Sequence, residues 1–342
     1  MDFNQFKEYV IAKAEAMGIT EYELYYQAAQ STSVSAYLHE RNQFTSSAEG
    51  GVCFRCIVGG KMGYASTENL SEASAAAIVE RAADNASALE AEEPVFLGEG
   101  GKTYATVERA PYGLPTTEAL IGKVLETQEQ LYAADPMVID GSSTQGIAEH
   151  TSIAIYNSKG LDLYYENNVS GIVAAAVVSN GQEMANDAQI KLGALTTLDM
   201  EKLTKKAAET AKGKLGGDVA PTGVYPVVFD SEAMSDLLAT FSGIFSSENA
   251  QKGLSKLGDK EGTAIASEAV TLVDDPFHKD NPMPIHFDAE GSPSYCKNII
   301  EQGKLNTLLY NLKTAAVAGK ETTGNASKAG YDAPVGIRPF TI

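Results

Sequence analysis

The run VYPVVFDSEAMSDLLATF, residues 224–241, constrains this chain more than any other stretch. Residues 224–229 are apolar and read as a strand, and Asp230 then opens a helical pattern. Met234, Leu237, Leu238, Phe241 and Phe245 recur at three- and four-residue steps, so they share one helix face. Asp230 is a good N-cap, because its carboxylate can accept hydrogen bonds from the orphan amides of the first turn. SSENAQKGLS, the turn KLGDKEG and a second extended stretch at 269–273 follow, closed by Asp274 and Asp275.

The chain before this stretch reads as two similar passes. Residues 3–17 predict an amphipathic helix along Phe6, Val10, Ala14 and Met17, stopped by Gly18. Extended runs follow at 23–28 and 31–38, then a hairpin of 51–58 and 62–66 around GGK. Ser71 caps an alanine-rich helix that runs to about Leu89. Pro94, Pro111, Pro115 and the glycines of GEGG mark a linker. From Thr117 a helix leads into strands near 137–140, 151–157, 161–166 and 171–179, with NSKG as a hairpin turn, and a helix at 199–213 closes the unit. The expected fold is α+β: two helix–antiparallel-strand–helix units, 1–92 and 116–217, joined by the linker 93–115. A β-rich C-terminal domain, 218–342, completes it and ends in FTI, which reads as a strand.

Several segments carry a family resemblance. VVFDSEAMSDLLATFSGIFSSENAQKGLS with IASEAVTLVDDP resembles the TldD/PmbA family, whose PmbA-like members are also called TldE and which has been labelled both modulator of DNA gyrase and peptide maturation protease. GVCFRCIVGGKMGYAS (51–66), FDAEGSPSYCKNIIEQGKLNTLLY (287–310) and TTGNAS (322–327) are similar to its other motifs, in the same order. Family members continue beyond the point matched by Ile342, so the resemblance implies a truncated or reduced C-terminal domain here.

One departure decides what the resemblance implies. In the TldD branch the helix at this position carries His-Glu-x-x-x-His, in which two imidazoles grip a metal and the glutamate takes a proton from metal-bound water. Those three positions fall on Ala239, Thr240 and Ile244, none of which is a strong metal ligand or a general base. The chain therefore resembles the PmbA/TldE branch. The resemblance implies no catalytic residue and no cofactor in this chain, and a metal ion, zinc, in a TldD-type partner subunit.

Other candidates carry less chemistry. Cys53 and Cys56 stand three apart on an expected strand, so their sulfurs point to opposite faces and serve packing. His278 and His286, with Asp274, Asp275, Asp280, Asp288 and Glu290, form the richest set of potential ligands, but their irregular spacing in a loop with two prolines matches no metal motif. His39 and His150 read as isolated. Ser246 and Ser247 lack the setting of a nucleophile. Glu248, Asn249, Thr323, Gly324 and Asn325 remain as candidate contacts to a peptide or partner. Arg55 is expected to pair with an acidic residue at a domain contact.

Composition narrows the function further. A net charge of −19 opposes direct nucleic-acid binding, which rests on lysine and arginine displacing counterions. No apolar run is long enough to span a membrane, and the N-terminus lacks the basic and apolar regions of a signal peptide. Three cysteines give no disulfide framework, so a cytoplasmic protein is expected. The leading expectation is a non-catalytic PmbA/TldE-like subunit of a TldD/TldE-type heterodimeric metalloprotease that acts on unfolded peptides. The alternatives are a peptide-binding or scaffold homodimer, a peptidase using His278 and His286, and a modulator of DNA gyrase.

Overall fold

The structure, a computed structural model, describes residues 1–90, 93–107 and 113–342. Helix α1 (Phe3–Ala16) begins at a capping box in which Asp2 accepts from the Gln5 amide and the Gln5 side chain accepts from the Asp2 amide. Strands β1 (Tyr22–Tyr37), β2 (Glu40–Val58) and β3 (Lys61–Thr67) and helix α2 (Glu72–Ala88) complete the first unit. Helix α3 (Thr117–Ala134), strands β4 (Ser143–Asn157), β5 (Asp162–Ser179) and β6 (Met184–Leu192) and helix α4 (Met200–Gly213) form the second. Ser71, Thr116 and Asp199 cap α2, α3 and α4 with side-chain oxygens.

The two units share one sheet. Its order is β3-β2-β1-β4-β5-β6, antiparallel throughout, so β1 is hydrogen-bonded to β2 on one edge and β4 on the other. The segment 93–115, expected as a linker, thus separates two halves of one sheet, and Pro111 within it lies outside the described residues. Side chains alternate between faces with the period of the strand. Leu24, Phe54 and Cys56 join Phe6, Val10, Ile78 and Val79 in the core under α1 and α2. Their neighbours Tyr25 and Cys53 belong to a cluster on the other face, with Phe287, Ala289 and Ala326. Helices therefore cover one face and the third region covers part of the other. Cys53 and Cys56 lie on opposite faces, as their spacing implies.

The third region contains α5 (Ser231–Phe241), a 3-10 turn (Ser242–Phe245), α6 (Ser247–Gln251) and α7 (Leu312–Ala318). Strands β7 (Leu272–Asp274), β8 (Lys297–Glu301) and β9 (Lys304–Leu305) make a small sheet, and β10 (Ala326–Ser327) pairs with β11 (Gly336–Ile337). Its core gathers Phe245, Ile299, Leu305, Leu309 and Tyr310.

Several expectations need correction, among them the separate runs 23–28 and 31–38, which are the single strand β1. Residues 224–229 form no strand: Val224 is 103% exposed and Val228 96%, and Pro226 has no amide for a ladder. Asp230 does cap α5, but none of the apolar stripe of that helix is fully buried. The runs 161–166 and 171–179 are one strand, β5, whose polar centre Glu166–Asn167–Asn168 continues the ladder to β4. Strand β6 carries little sequence signal, because most of its side chains face solvent and show no apolar alternation. The terminal FTI is a loop anchored by Asp274, whose Oδ1 accepts the Phe340 and Thr341 amides at 2.8 and 2.9 Å. No helix is long and apolar enough to cross a membrane among the described residues.

Candidate functional site

Register builds the first half of the site. Glu23 on β1 stands opposite Arg55 on β2 and opposite Asn157 on β4, so three polar side chains line up across three strands. Arg55 Nε donates to Glu23 Oε1 at 2.8 Å, and Asn157 Nδ2 donates to Oε2 at 3.1 Å. Arg55 Nη2 also lies 2.6 Å from Glu23 Oε1, an ionic contact too misaligned to count as a hydrogen bond. Both side chains are buried, and Glu23 and Glu290 outweigh the effect of burial on Arg55, which stays firmly charged. The acidic partner of Arg55 is therefore Glu23, on the neighbouring strand of the same unit and not across a domain contact.

The stretch expected as a linker supplies the second part. Residues 93–107 form a strap laid between the sheet and the third region. The Gly98 carbonyl accepts from Asn157 Nδ2 at 2.8 Å, the Gly100 amide donates to the Lys159 carbonyl, and Tyr104 Oη donates to the Gly291 carbonyl at 2.9 Å. A Cβ on Gly98 would lie 2.1 Å from the Glu290 carbonyl oxygen, so the close approach needs glycine.

The loop at 288–291 supplies the third part. Asp288 Oδ1 accepts the Glu290 and Ser292 amides and Oδ2 accepts the Ala326 amide, which fixes the turn. Glu290 reaches the N-terminal end of α7, where its Oε2 accepts the Leu312 amide at 2.8 Å. Arg55 and Glu290 then meet at a cavity of about 580 Å³. Asn311 shares its buried end, Met62, Phe96 and Val335 give apolar walls, and Glu93, Lys313, Glu248 and Lys252 ring the mouth. Lys313 pairs with Glu93, and Lys252 with Glu248 at 2.6 Å.

Electrostatics single out the two carboxyls of the loop. Burial pushes Glu290 well above the usual carboxylate range; Arg55 opposes the shift and Asp288 reinforces it. Burial also raises Asp288, against the pull of its three backbone donors. A group raised on folding stabilises the folded state fully below its unfolded value, and that contribution is lost as pH rises through the folded value. Stability is therefore expected to fall between about pH 4 and neutrality on account of these groups. Glu290→Gln should weaken this decline and gain on the parent by about 1–3 kcal/mol from pH 5 to pH 8, read from urea midpoints. A variant that tracks the parent across that range would remove Glu290 from the account.

The residues singled out in the sequence scatter. Ala239 and Thr240 lie on α5 and Ile244 in the turn after it, all exposed, with no imidazole or carboxylate among them. His278 Nδ1 is 3.9 Å from Asp280 Oδ2, while His286 Nδ1 is 2.7 Å from the Ala105 carbonyl oxygen. Asp274 is drawn away into a buried pair with Lys297 at 3.2 Å. Among the described residues no group of three or more His, Cys, Asp or Glu side chains is placed to hold a metal ion. Glu248 lines the cavity, whereas Asn249 turns its Nδ2 to the Gly243 carbonyl. Thr323 Oγ1 accepts the Tyr310 amide, and Asn325 Nδ2 donates to Asp274 Oδ2 at 2.7 Å, which places both inside the third region. Gly324, at φ +66°, approaches Pro293 too closely for a side chain.

His150 is not isolated. Its Nδ1 lies 2.8 Å from Asn168 Oδ1 and its Nε2 3.2 Å from Ser152 Oγ. The outline is that of a nucleophile, base and orienting amide, yet Ser152 is paired with Ala28 on one side and Glu166 on the other. Amides committed to ladders cannot form an oxyanion hole, so this arrangement lacks the feature acyl transfer most needs.

Comparison with known proteins adds the following. Models of three PmbA/TldA metallopeptidase domains match: domain 1 over 22–86, the central domain over 111–215 and the C-terminal domain over 222–342. A metalloprotease of Methanothermobacter thermautotrophicus is 28% identical over 240 residues, which are 68% of this chain and 52% of that one. The chain spans about half the length of the curated relatives it matches, 44% and 52% of the first two. A crystal structure from Thermotoga maritima, described as a modulator of a DNA gyrase, superposes with a TM-score of 0.88 at 28% identity, covering 99% of this chain and 76% of that one. TldE from Thermococcus kodakarensis gives 0.83 at 23% identity over 97% and 76%, a likeness of fold.

Proposed function

The chain belongs to the PmbA/TldD metallopeptidase family, and from that membership we propose that it is a non-catalytic, TldE-like subunit of a heterodimeric metallopeptidase that acts on unfolded peptides. The observation that carries this reading is the donor set on and after α5. A zinc ion that activates water needs imidazole or carboxylate ligands, and Ala239, Thr240 and Ile244 offer none. The residues present do not fit a catalytic metal, so a TldD-type partner would have to supply the hydrolytic centre. This chain would then enclose and hold the peptide. The cavity between sheet, strap and α7 supports a holding role, because it joins apolar walls to a few fixed polar groups. A cytoplasmic setting accords with three free cysteines, of which Cys53 and Cys56 are buried.

The runner-up is a peptide-binding homodimer without a hydrolytic role, and the cavity favours it equally. A gyrase partner would have to be engaged through protein contacts, since the charge of −19 opposes DNA. Metal content and cleavage of an unfolded peptide should be measured for the chain alone and mixed with a TldD-type protein. The expected result is neither metal nor cleavage alone, and cleavage above the partner's own rate in the mixture. Stoichiometric metal with cleavage by the isolated chain would overturn the subunit reading. Peptide binding with no effect in the mixture would favour the homodimer.

A further inference from the structure

The buried end of the cavity holds more carboxyls than cations. Glu23, Asp288 and Glu290 are exposed by 1%, 2% and 4%, and Arg55, itself 5% exposed, is taken by Glu23. Asp288 is held by three backbone amides. Glu290 receives one, from Leu312, and among the described residues it has no ion-pair partner, and its Oε1 has no hydrogen-bond donor. Lys328, the other cation near Arg55 and Glu23, is turned to the Tyr25 ring, with Nζ 4.6 Å from its centroid. A buried carboxylate with one donor, whose nearest cation Arg55 is already bonded to another carboxylate, is costly, and it can be relieved by a proton or by a cation entering from the cavity.

We infer that this cavity receives the cationic end of a basic side chain, a lysine ammonium or an arginine guanidinium, with Glu290 as its counter-ion. Met62, Phe96 and Val335 offer apolar cover for the methylene stem of such a side chain. The cations at the mouth do not oppose it, because Lys313 is paired with Glu93, Lys252 with Glu248, and Lys61 Nζ donates to the Leu89 carbonyl. An anionic ligand would instead sit against Glu290 and compete with Glu23 for Arg55. That the cation arrives on a peptide rests on the peptide-holding reading above; that the cavity takes a cation does not.

The inference has a proton signature. Around Glu290 stand Arg55, Glu23, Lys61 and Tyr64 from the sheet, Asp288 from its own loop, Lys313 from α7, Glu248 from α6 with Lys252 at its end, and Glu93 from the strap. Burial leaves it partly protonated near neutrality, so a bound cation must displace that proton. Calorimetric titrations of the full chain should use pentylamine, the capped peptide Ala-Ala-Lys-Ala-Ala and its norleucine counterpart, in two buffers of different ionisation enthalpy. The lysine peptide is expected to bind about tenfold or more tighter than the norleucine peptide at pH 8, with proton release and weaker binding at pH 6. Glu290→Gln should shrink that preference to about twofold or less while circular dichroism shows an unchanged fold. Pentylamine binding without peptide binding would keep the cation site and sink the peptide reading. Equal binding of the two peptides, an undiminished preference in Glu290→Gln, proton uptake, or no binding of any probe would overturn the inference.

Discussion

Replacing Arg55 by leucine is expected to cost about 3–5 kcal/mol of folding stability, because it leaves a buried carboxylate without its counter-ion. Glu23 is 1% exposed and receives one further side-chain donor, Asn157, so water cannot replace the guanidinium. Glu290 would lose the charge that restrains its own upward shift and would be protonated over a wider range of pH. The double variant Arg55→Leu/Glu23→Leu should recover much of the loss, since an apolar pair of similar volume removes both charges together. Urea unfolding of the two single variants and the double variant would measure the coupling. A loss below about 1 kcal/mol for Arg55→Leu would mean that the carboxylates are solvated after all.

Gly63→Ala should be the second large effect, about 3 kcal/mol or more, from one methyl group. A Cβ there would lie 1.9 Å from the Ala82 carbonyl oxygen and 2.5 Å from the Ala86 nitrogen, both backbone atoms of α2. Backbone cannot rotate aside as a side chain can, so the whole helix would have to lift from β3 and open the core around Ile78 and Val79. Gly122→Ala is the matching control. It lies in α3 with nothing within 4 Å of a new Cβ, and should gain about 0.5–1 kcal/mol from helix propensity. Thermal midpoints that move alike in the two variants would refute the close-packing account.

Local chemistry was legible in the sequence and distant pairing was not. Ser71 and Asp230 announce helix starts because a cap is read within three residues. The opposite facing of Cys53 and Cys56 follows from strand period alone. By contrast, β5 looked like two strands because its polar centre, Glu166 to Asn168, breaks the apolar pattern that marks a buried strand. Residues 224–229 look like a strand by propensity, yet a strand needs a neighbour, and the described residues provide none. Arg55 was recognisable as half of a pair, but Glu23 became its partner only through the register of β1 on β2. The cavity was harder still, since β2, the strap, the 288–291 loop and α7 meet there from distant parts of the chain. Glu290 lies close to His286 in sequence, but the fold turns it toward Arg55.

The central position of β1 also bears on how the protein is made. Its β2 edge can be satisfied at once by the adjacent hairpin, whereas its β4 edge waits for residues 143–157. A ribosome adding about 5–20 residues per second needs roughly 5–20 s to synthesise the intervening hundred or so residues. For that interval a long strand edge stands open on the nascent chain, a template for pairing with another copy. The yield of correctly assembled protein should therefore depend on the rate of translation between Tyr37 and Ser143 and on chaperones able to occupy that edge.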